Sequence, residues 1–371
     1  MVGSDVIYTT RQLTPPVNGQ CWRRGPKITS VRTTDFVDHE TGEIKTLKSP
    51  RTIKSAIGFK TVARAEKAYK TWEELGFNGS PASPASIARK AYQRFRRSGD
   101  IPMLRAKDAN RRLAHGKNRW LWIEARTRGH VKRPTWHYDI NEAYWWATSR
   151  GLPSGFEPYQ DGDKSYVAVM DISSASKDLP SILEGSGPHL VTSEDVAYYG
   201  LRGTVLNGVS YSDLDVSLAP VFDFIGKHFG PWIGKKARQT IWGLFSASSP
   251  IIGQTHNNGE KTKEYEIKNP LKNIAYATLI TRRVVRRVHG VMRNSGGISC
   301  FVDSVLCTHR LREGTQPGEW RKEHHFPNGI YIRAPGVYDG LTPRITTKPV
   351  HSWYRHSGYK ARENSAEKEY V

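Results

Sequence analysis
The chain has 371 residues, with 56 Lys and Arg against 35 Asp and Glu, a formal net charge of +21 and a pI near 9.9. Hydrophobic residues make up 37% and the mean hydropathy is −0.59, as in a water-soluble protein, and without an apolar run of 18 residues no membrane span is expected. Met1-Val-Gly-Ser-Asp5 lacks the charged and apolar regions of a signal peptide, and Cys21, Cys300 and Cys307 are too few for a disulfide framework. A cytoplasmic protein (host cytoplasm if the source is viral), not a secreted one, is expected.

The charge is uneven. Residues 1–140 hold 28 basic against 12 acidic side chains, and residues 141–371 hold 28 against 23. A polyanion is the simplest partner for such a surplus, and nucleic acid is the commonest polyanion. Eleven Trp and 17 Tyr offer stacking surfaces for bases.

In chain order, residues 1–28 read as an irregular arm with Arg23, Arg24 and Lys27 available for phosphates. Thr29 to Leu47 reads as a hairpin turning at Asp38–Gly42. Lys60 to Leu75 is an amphipathic helix, with Val62, Ala65, Ala68, Trp72 and Leu75 on one face. After the loop Asn78–Pro84, Ser86 is placed to cap a helix from Ile87 to Arg97. That helix carries Arg89, Lys90, Arg94, Arg96 and Arg97 interleaved with Tyr92 and Phe95, and a third basic segment follows from Met103 to Arg119. A solvated helical face usually mixes charge signs; these do not, so they are candidate DNA-binding residues.

Thr135 to Ile140 reads as a strand ending near Asp139, with a helix after Tyr144. Tyr166 to Ile172 reads as a second buried strand, expected beside the first, and the Gly-rich 185–212 as a meander of short strands. Phe222–Phe229 and Trp232–Phe245 are helical, broken at Gly230-Pro231, and Asn257-Asn-Gly259 signals a turn. Leu271 to Arg293 is a long helix ended by Gly296-Gly297, Tyr331 to Tyr338 reads as one strand, and the polar tail Arg355–Val371 is expected to fray.

Between those last elements, Ser299-Cys-Phe-Val-Asp-Ser-Val-Leu-Cys-Thr308 reads as two apolar strands meeting at one carboxylate, Asp303. Alone, an Asp at such a tip is a turn residue. Two earlier stretches give it another meaning: Tyr138-Asp-Ile-Asn-Glu-Ala-Tyr144 and Lys235-Lys-Ala-Arg-Gln-Thr-Ile-Trp-Gly-Leu-Phe245. Together the three resemble the palm and fingers motifs of family B DNA polymerases, in the flavour of the protein-primed phage and plasmid branch. Asp139, Asn141 and Tyr144 match the first motif, D-x-x-S-L-Y-P, while Glu142, Ala143 and Trp145 depart. Lys235, Gly243 and Phe245 match the second, K-x-x-x-N-S-x-Y-G, with Gln239, Thr240 and Trp242 as near-neighbours. Asp303 and Ser304 match the end of the third, Y-x-D-T-D-S, and Phe301 stands where its first Asp would be. The resemblance covers roughly residues 136 to 340.

The resemblance implies an α+β fold. It comprises a palm of antiparallel sheet with packed helices, helical fingers and a basic, mostly helical N-terminal region. The implied boundaries are a nucleic-acid-binding region over 1–118, palm over 119–219, fingers over 220–260, palm again over 261–340 and a thumb-like segment over 341–371. It implies a template-directed DNA polymerase of a virus, plasmid or mobile element, and with no convincing D-x-E exonuclease signature in the sequence no proofreading is expected. Its metal site is Asp139, Asp303 and the Ile140 backbone carbonyl, holding two Mg²⁺ with Mn²⁺ as a substitute. Nucleotide contacts are Tyr144, as sugar gate, with Lys235, Gln239, Trp242 and Gly243. Arg333 and Tyr338 are primer contacts. The partners are a DNA template and primer, dNTPs, and a priming or other replication protein, with no membrane. Two alternatives stay open: a non-catalytic basic replication protein with a degenerate palm, and a primase or RNA polymerase on a palm scaffold.

Overall fold
The computed structural model describes residues 34–37, 44–47, 62–77, 83–101, 106–117, 122–246, 251–257, 260–267, 271–340 and 354–355. The expected N-terminal arm, the two hairpin-turn sequences at 38–42 and 258–259, and the tail beyond Arg355 lie outside the described residues. The chain divides into two compact units: one of residues 1–111, 148–156 and 211–277, the other of 112–147, 157–210 and 278–371.

The first unit opens with the hairpin β1 (Thr34–Val37) and β2 (Ile44–Leu47), followed by helices α1 (Val62–Glu74), α2 (Pro84–Ser98) and α3 (Ala106–Leu113). The cap of α2 is Ser83 rather than Ser86. Ser83 and Ser86 exchange backbone-to-hydroxyl bonds in a capping box, and Pro84, which lacks the amide hydrogen a first turn cannot use, fills N1. The helix therefore starts three residues earlier than the expected Ile87. Further on, a long helix (Ala219–Ser246, called α6 below) is broken at Gly230, whose φ of 71° and ψ of 179° only glycine adopts freely, and Pro231 follows. The interior packs Tyr92 edge-on to Phe245 and Phe245 edge-on to Tyr276, at 5.5 and 5.3 Å between centroids. The unit also holds the hairpin that precedes residue 271.

The second unit contains β3 (Ile123–Ala125), β4 (Gly129–Val131), β5 (Thr135–Ile140), α4 (Ala143–Ser149), β6 (Glu157–Pro158), β7 (Tyr166–Ala175), β8 (His189–Thr192), α5 (Ser193–Tyr199) and β9 (Leu201–Ser210). After α6 and the hairpin β10 (Ile251–Asn257) and β11 (Glu260–Ile267) come α7 (Ile274–Asn294), β12 (Gly297–Phe301), β13 (Ser304–Cys307), β14 (Trp320–Phe326), β15 (Ile330–Ala334), β16 (Val337–Gly340) and β17 (Tyr354–Arg355). The strands form three sheets with orders β14-β5-β13-β12-β3, β17-β16-β15-β4 and β6-β9-β7-β8. All strand pairings are antiparallel.

Three expectations are corrected here. The strand from Tyr166 does not lie beside the Asp139 strand: β7 pairs with β8 and β9 in its own sheet, and β5 is flanked by β13 and β14. The 185–212 stretch is not a meander of short strands either, since after the four-residue β8 it holds a helix and the ten-residue β9. Similarly, Tyr331–Tyr338 is a hairpin of β15 and β16, not one strand.

Helix α7 ties the sheets of this unit together through arginines. Arg282 and Arg286 reach the fully buried Asp195, whose carboxylate also completes the capping box of α5 by accepting from the Thr192 backbone N–H at 3.0 Å. Arg283 donates to the Ala147 carbonyl at 2.8 Å, tying α7 to α4. Buried charges in this arrangement persist because each has partners.

One buried base on α7 has none. His289 is fully buried between the Trp122 and Tyr199 rings, and neither ring nitrogen has a hydrogen-bond partner. Burial, reinforced by the charge of Arg126, pushes its pKa down to about 4. The unfolded chain therefore takes up a proton from about pH 6.5 downward that the folded chain refuses until about pH 4. Stability present above pH 6.5 is lost as pH falls through that window, at ~1.4 kcal/mol per pH unit. Denaturant unfolding at pH 7.5 and 5.0 should show wild type losing ~2 kcal/mol more than His289→Leu. Equal losses in the two proteins would disprove this role for His289.

Candidate active site
Strand β5 has buried residues at Thr135, His137, Tyr138 and Ile140, while Asp139 is only half-buried. Beside it, β12 and β13 close through the two-residue turn Val302-Asp303. Ser304 sits directly opposite Asp139, and the Ile140 N–H donates to the Asp303 carbonyl at 3.0 Å. Asp139 on β5 and Asp303 in the turn that opens β13 are thus backbone neighbours, although 164 positions apart in sequence.

The backbone around both is strained. Among the described residues, only Glu142 (φ 44°) and Val302 (φ 58°) are non-glycine residues with positive φ. A β-branched residue in the left-handed region is a genuine outlier, costing on the order of 1–3 kcal/mol. Surrounding bonds hold these segments in place. Val302 N–H donates to the Trp122 carbonyl at 2.8 Å, Asn141 N–H to the Glu319 carbonyl at 2.8 Å, and the Asn141 side-chain amide to the Gly314 carbonyl at 2.8 Å. Strain held in this way clusters at functional sites.

Tyr144 lies on the first turn of α4, directly after the strained Glu142. Its phenol pKa is held well above the usual range, first by burial and then by the charges of Asp303 and Asp139. The hydroxyl therefore stays neutral, and the ring lies in the field of both carboxylates.

A third strand adds a group that the motifs leave out. Arg321 on β14 is opposite Asp139, and its Nη2 donates to Asp139 Oδ2 at 3.3 Å; it also binds Glu323 on its own strand. The sequence offers little signal here: Trp320–Phe326 sets five polar or charged residues between two apolar ends, without the alternation that marks a strand. Trp320 and Trp146 both flank the Arg287 guanidinium, at 5.8 and 4.9 Å. Gly318 (φ 87°) lets the preceding loop close on Trp146, since a Cβ there would lie 2.2 Å from the ring.

Other residues singled out from the sequence fall elsewhere. Lys235, Gln239 and Trp242 are all half-buried on α6 at i, i+4 and i+7, a spacing that shares one helical face; Gly243 follows on the same helix. Phe245 is a core residue against Tyr92 and Tyr276. Arg94 and Arg97 of α2 are exposed, and Arg89, Lys90 and Arg96 are half-buried; the Arg94 guanidinium sits over Phe77 and Phe224 and that of Arg96 over Tyr92. Arg333 is 46% exposed and pairs with Asp339 at 2.8 Å. Tyr338 is corrected as a DNA contact: it is buried, and its hydroxyl is 3.0 Å from His137 Nδ1 in the cluster of Val131, Ile298, Leu306, Phe326, Ile330 and Ile332. Phe301 packs against the β15–β16 turn, where a Cβ on Gly336 would lie 2.5 Å from its ring.

Among the described residues no group of three or more His, Cys, Asp and Glu could hold a metal on protein ligands alone. Two carboxylates, one on β5 and one in the adjoining turn, nevertheless suit Mg²⁺, which keeps waters and shares its shell with substrate phosphates. A guanidinium already lies against one of them as a cation would.

No protein-family profile matches the chain, and no curated protein matches its sequence. Solved structures do. Phi29 DNA polymerase complexed with primer-template DNA, in a post-translocation binary complex, superposes with a TM-score of 0.56 at 12% identity, covering 84% of this chain and 71% of that one. The same polymerase with single-stranded DNA gives 0.55 at 15% identity, covering 75% and 58%. Its ternary complex with primer-template DNA and incoming nucleotide substrates gives 0.51 at 14%, covering 75% and 57%. The chain therefore has an α+β fold similar to that of a DNA polymerase, and no described helix is long and apolar enough to cross a membrane.

Proposed function
We propose that the chain is a template-directed DNA polymerase that adds deoxynucleotides to a primer 3′ hydroxyl. The observation that carries this is the backbone adjacency of Asp139 on β5 and Asp303 in the turn before β13, with strained backbone at Glu142 and Val302 and Tyr144 in the field of both carboxylates. Asp139, Asp303 and the Ile140 carbonyl would hold two Mg²⁺. Such ions, when bound, lower the pKa of the attacking hydroxyl and hold the leaving oxygens. The chain's own part is to keep the carboxylates fixed through the β5–β13 ladder and to shape the sugar pocket with Tyr144. On α6, the same reading gives Lys235 the triphosphate, and Gln239, Trp242 and Gly243 the rest of the nucleotide.

Purified protein given a primed template, dNTPs and Mg²⁺ should extend the primer, and should prefer dNTPs to NTPs. Failure to extend with either Mg²⁺ or Mn²⁺ would remove the polymerase reading and leave the non-catalytic replication protein. A preference for NTPs would move it to a primase or RNA polymerase.

The basic α2 is proposed to track DNA phosphates. Replacing Arg89 and Arg97 together with Gln should weaken duplex binding independently of sequence. It should also flatten the slope of log affinity against log salt by about 1.8, at ~0.9 per phosphate contact. An unchanged slope would take DNA binding away from α2.

A further inference from the structure
Arg321 belongs to none of the three motifs, yet it pairs with Asp139. The register of β14 against β5 sets the two opposite each other. Nη2 reaches Asp139 Oδ2 by one long bond of 3.3 Å. The hold on the other side is firmer: Nε donates to Glu323 Oε1 at 2.7 Å, and Nη2 bonds to the same oxygen. The guanidinium is thus clamped along its own strand by Glu323 and leans across onto Asp139. All three side chains keep contact with solvent, at 44% exposure for Arg321, 32% for Glu323 and 21% for Asp139.

We propose that Arg321 is a resident counter-ion of the carboxylate site. It neutralises Asp139 when no divalent ion is there, and it yields Asp139 to an incoming ion because its bonds to Glu323 persist. The inference rests on the polymerase reading and deepens it, making Arg321 a positioning residue that acts through Asp139. Asp139 and Asp303, one on β5 and one in the adjoining turn, repel one another, and a positive group between β5 and β14 relieves that repulsion. Because the pair is partly exposed, parting it costs little. An ion that takes Asp139 must still displace the guanidinium, so Arg321 sets how much divalent metal the site needs. Without that competitor the site should bind metal more tightly, and added salt, which screens an exposed pair, should narrow the difference.

The test is direct Mn²⁺ binding to the full-length protein without DNA or nucleotide, followed by the paramagnetic resonance signal of free Mn²⁺. Arg321→Met keeps length and removes charge; Arg321→Lys keeps charge. Arg321→Met should bind Mn²⁺ about 2- to 5-fold more tightly than wild type, the range that an exposed ion pair can withhold. Arg321→Lys should stay near wild type, and the gain should vanish when Arg321→Met is combined with Asp139→Asn. Equal or weaker binding by Arg321→Met overturns the proposal, as does an equal gain in Arg321→Lys or a gain that survives Asp139→Asn. If Asp139→Asn and Asp303→Asn bind Mn²⁺ as wild type does, there is no metal site for Arg321 to serve, and the polymerase reading falls with it. A loss of the Asp139-dependent site in Arg321→Met, with an unchanged thermal midpoint, also counts against the proposal, since it would make Arg321 necessary for metal rather than a competitor of it.

Discussion

Asp139→Asn and Asp303→Asn should each lower primer extension by at least ~10³-fold while leaving the fold and DNA affinity in place. The size follows from what the carboxylates are asked to do. Holding metal against a reacting phosphate is worth several kcal/mol of transition-state stabilisation, and each ~1.4 kcal/mol is tenfold in rate. An amide of the same shape keeps the steric fit but carries no charge to offer a metal. The fold should tolerate the change. Asp139 is 21% exposed and its partner Arg321 44%, and an ion pair of that exposure contributes about 0–1 kcal/mol. Asp303 is placed by its backbone, through the Ile140 N–H and the turn, and neither of these uses its side-chain charge. The measurements are extension rate, thermal midpoint and DNA affinity by titration. Retention of a tenth or more of the wild-type rate in either variant would contradict the two-carboxylate site. Loss of rate together with DNA binding would point to misfolding and move the question to other substitutions.

Much of the architecture was legible where local pattern suffices. The amphipathic helix over 62–74, the break at Gly230-Pro231 and the long helix before the Asp303 hairpin each follow from periodicity or from one residue's backbone limits. Strand partnership was not legible. β5 finds its neighbours in strands more than 160 positions later, and nothing local to Thr135–Ile140 says that β13 and β14, rather than β7, will flank it. Arg321 was missed for the same reason, since its contact with Asp139 joins residues 182 apart. The hairpin at 330–340 did carry a signal, the turn pair Pro335-Gly336. The aromatic and β-branched residues on both sides outweighed it in the one-strand reading. Tyr338 shows a second limit: a Tyr on a strand can face DNA or the core, and only the position of His137, on another sheet, decides for the core. The order of Asp139, Lys235 and Asp303 could be read along the chain. The strain at Glu142 and Val302 could not, because neither is a residue type that announces a left-handed backbone.

Tyr144→Ala should raise ribonucleotide incorporation relative to deoxyribonucleotide by ~10-fold or more, with dNTP use reduced only modestly. Two features of the residue support this. The phenol is desolvated, and among the charges that act on it are Asp303 and Asp139, so the ring lies in the field of both carboxylates. It also sits on the first turn of α4, which the strained Glu142 and the bonds of Asn141 hold in place, so the ring belongs to a fixed wall. A rigid ring against the deoxyribose would exclude a 2′ hydroxyl by collision, and a selectivity built on repulsion is lost when the repelling group is removed. Tyr144→Phe separates collision from hydrogen bonding: it keeps the ring and should keep the discrimination. The competing role is packing. Tyr144 is half-buried, unlike the fully buried Tyr138 and Tyr276, so truncation should cost less than the ~3–5 kcal/mol typical of a core aromatic. The dNTP-to-NTP incorporation ratio and the thermal midpoint, measured on wild type, Tyr144→Phe and Tyr144→Ala, decide between the two. A fall in the midpoint with an unaltered ratio would make Tyr144 a packing residue and remove the gate. A changed ratio in Tyr144→Phe as well would show that the hydroxyl, held neutral beside two carboxylates, does the selecting instead of the ring.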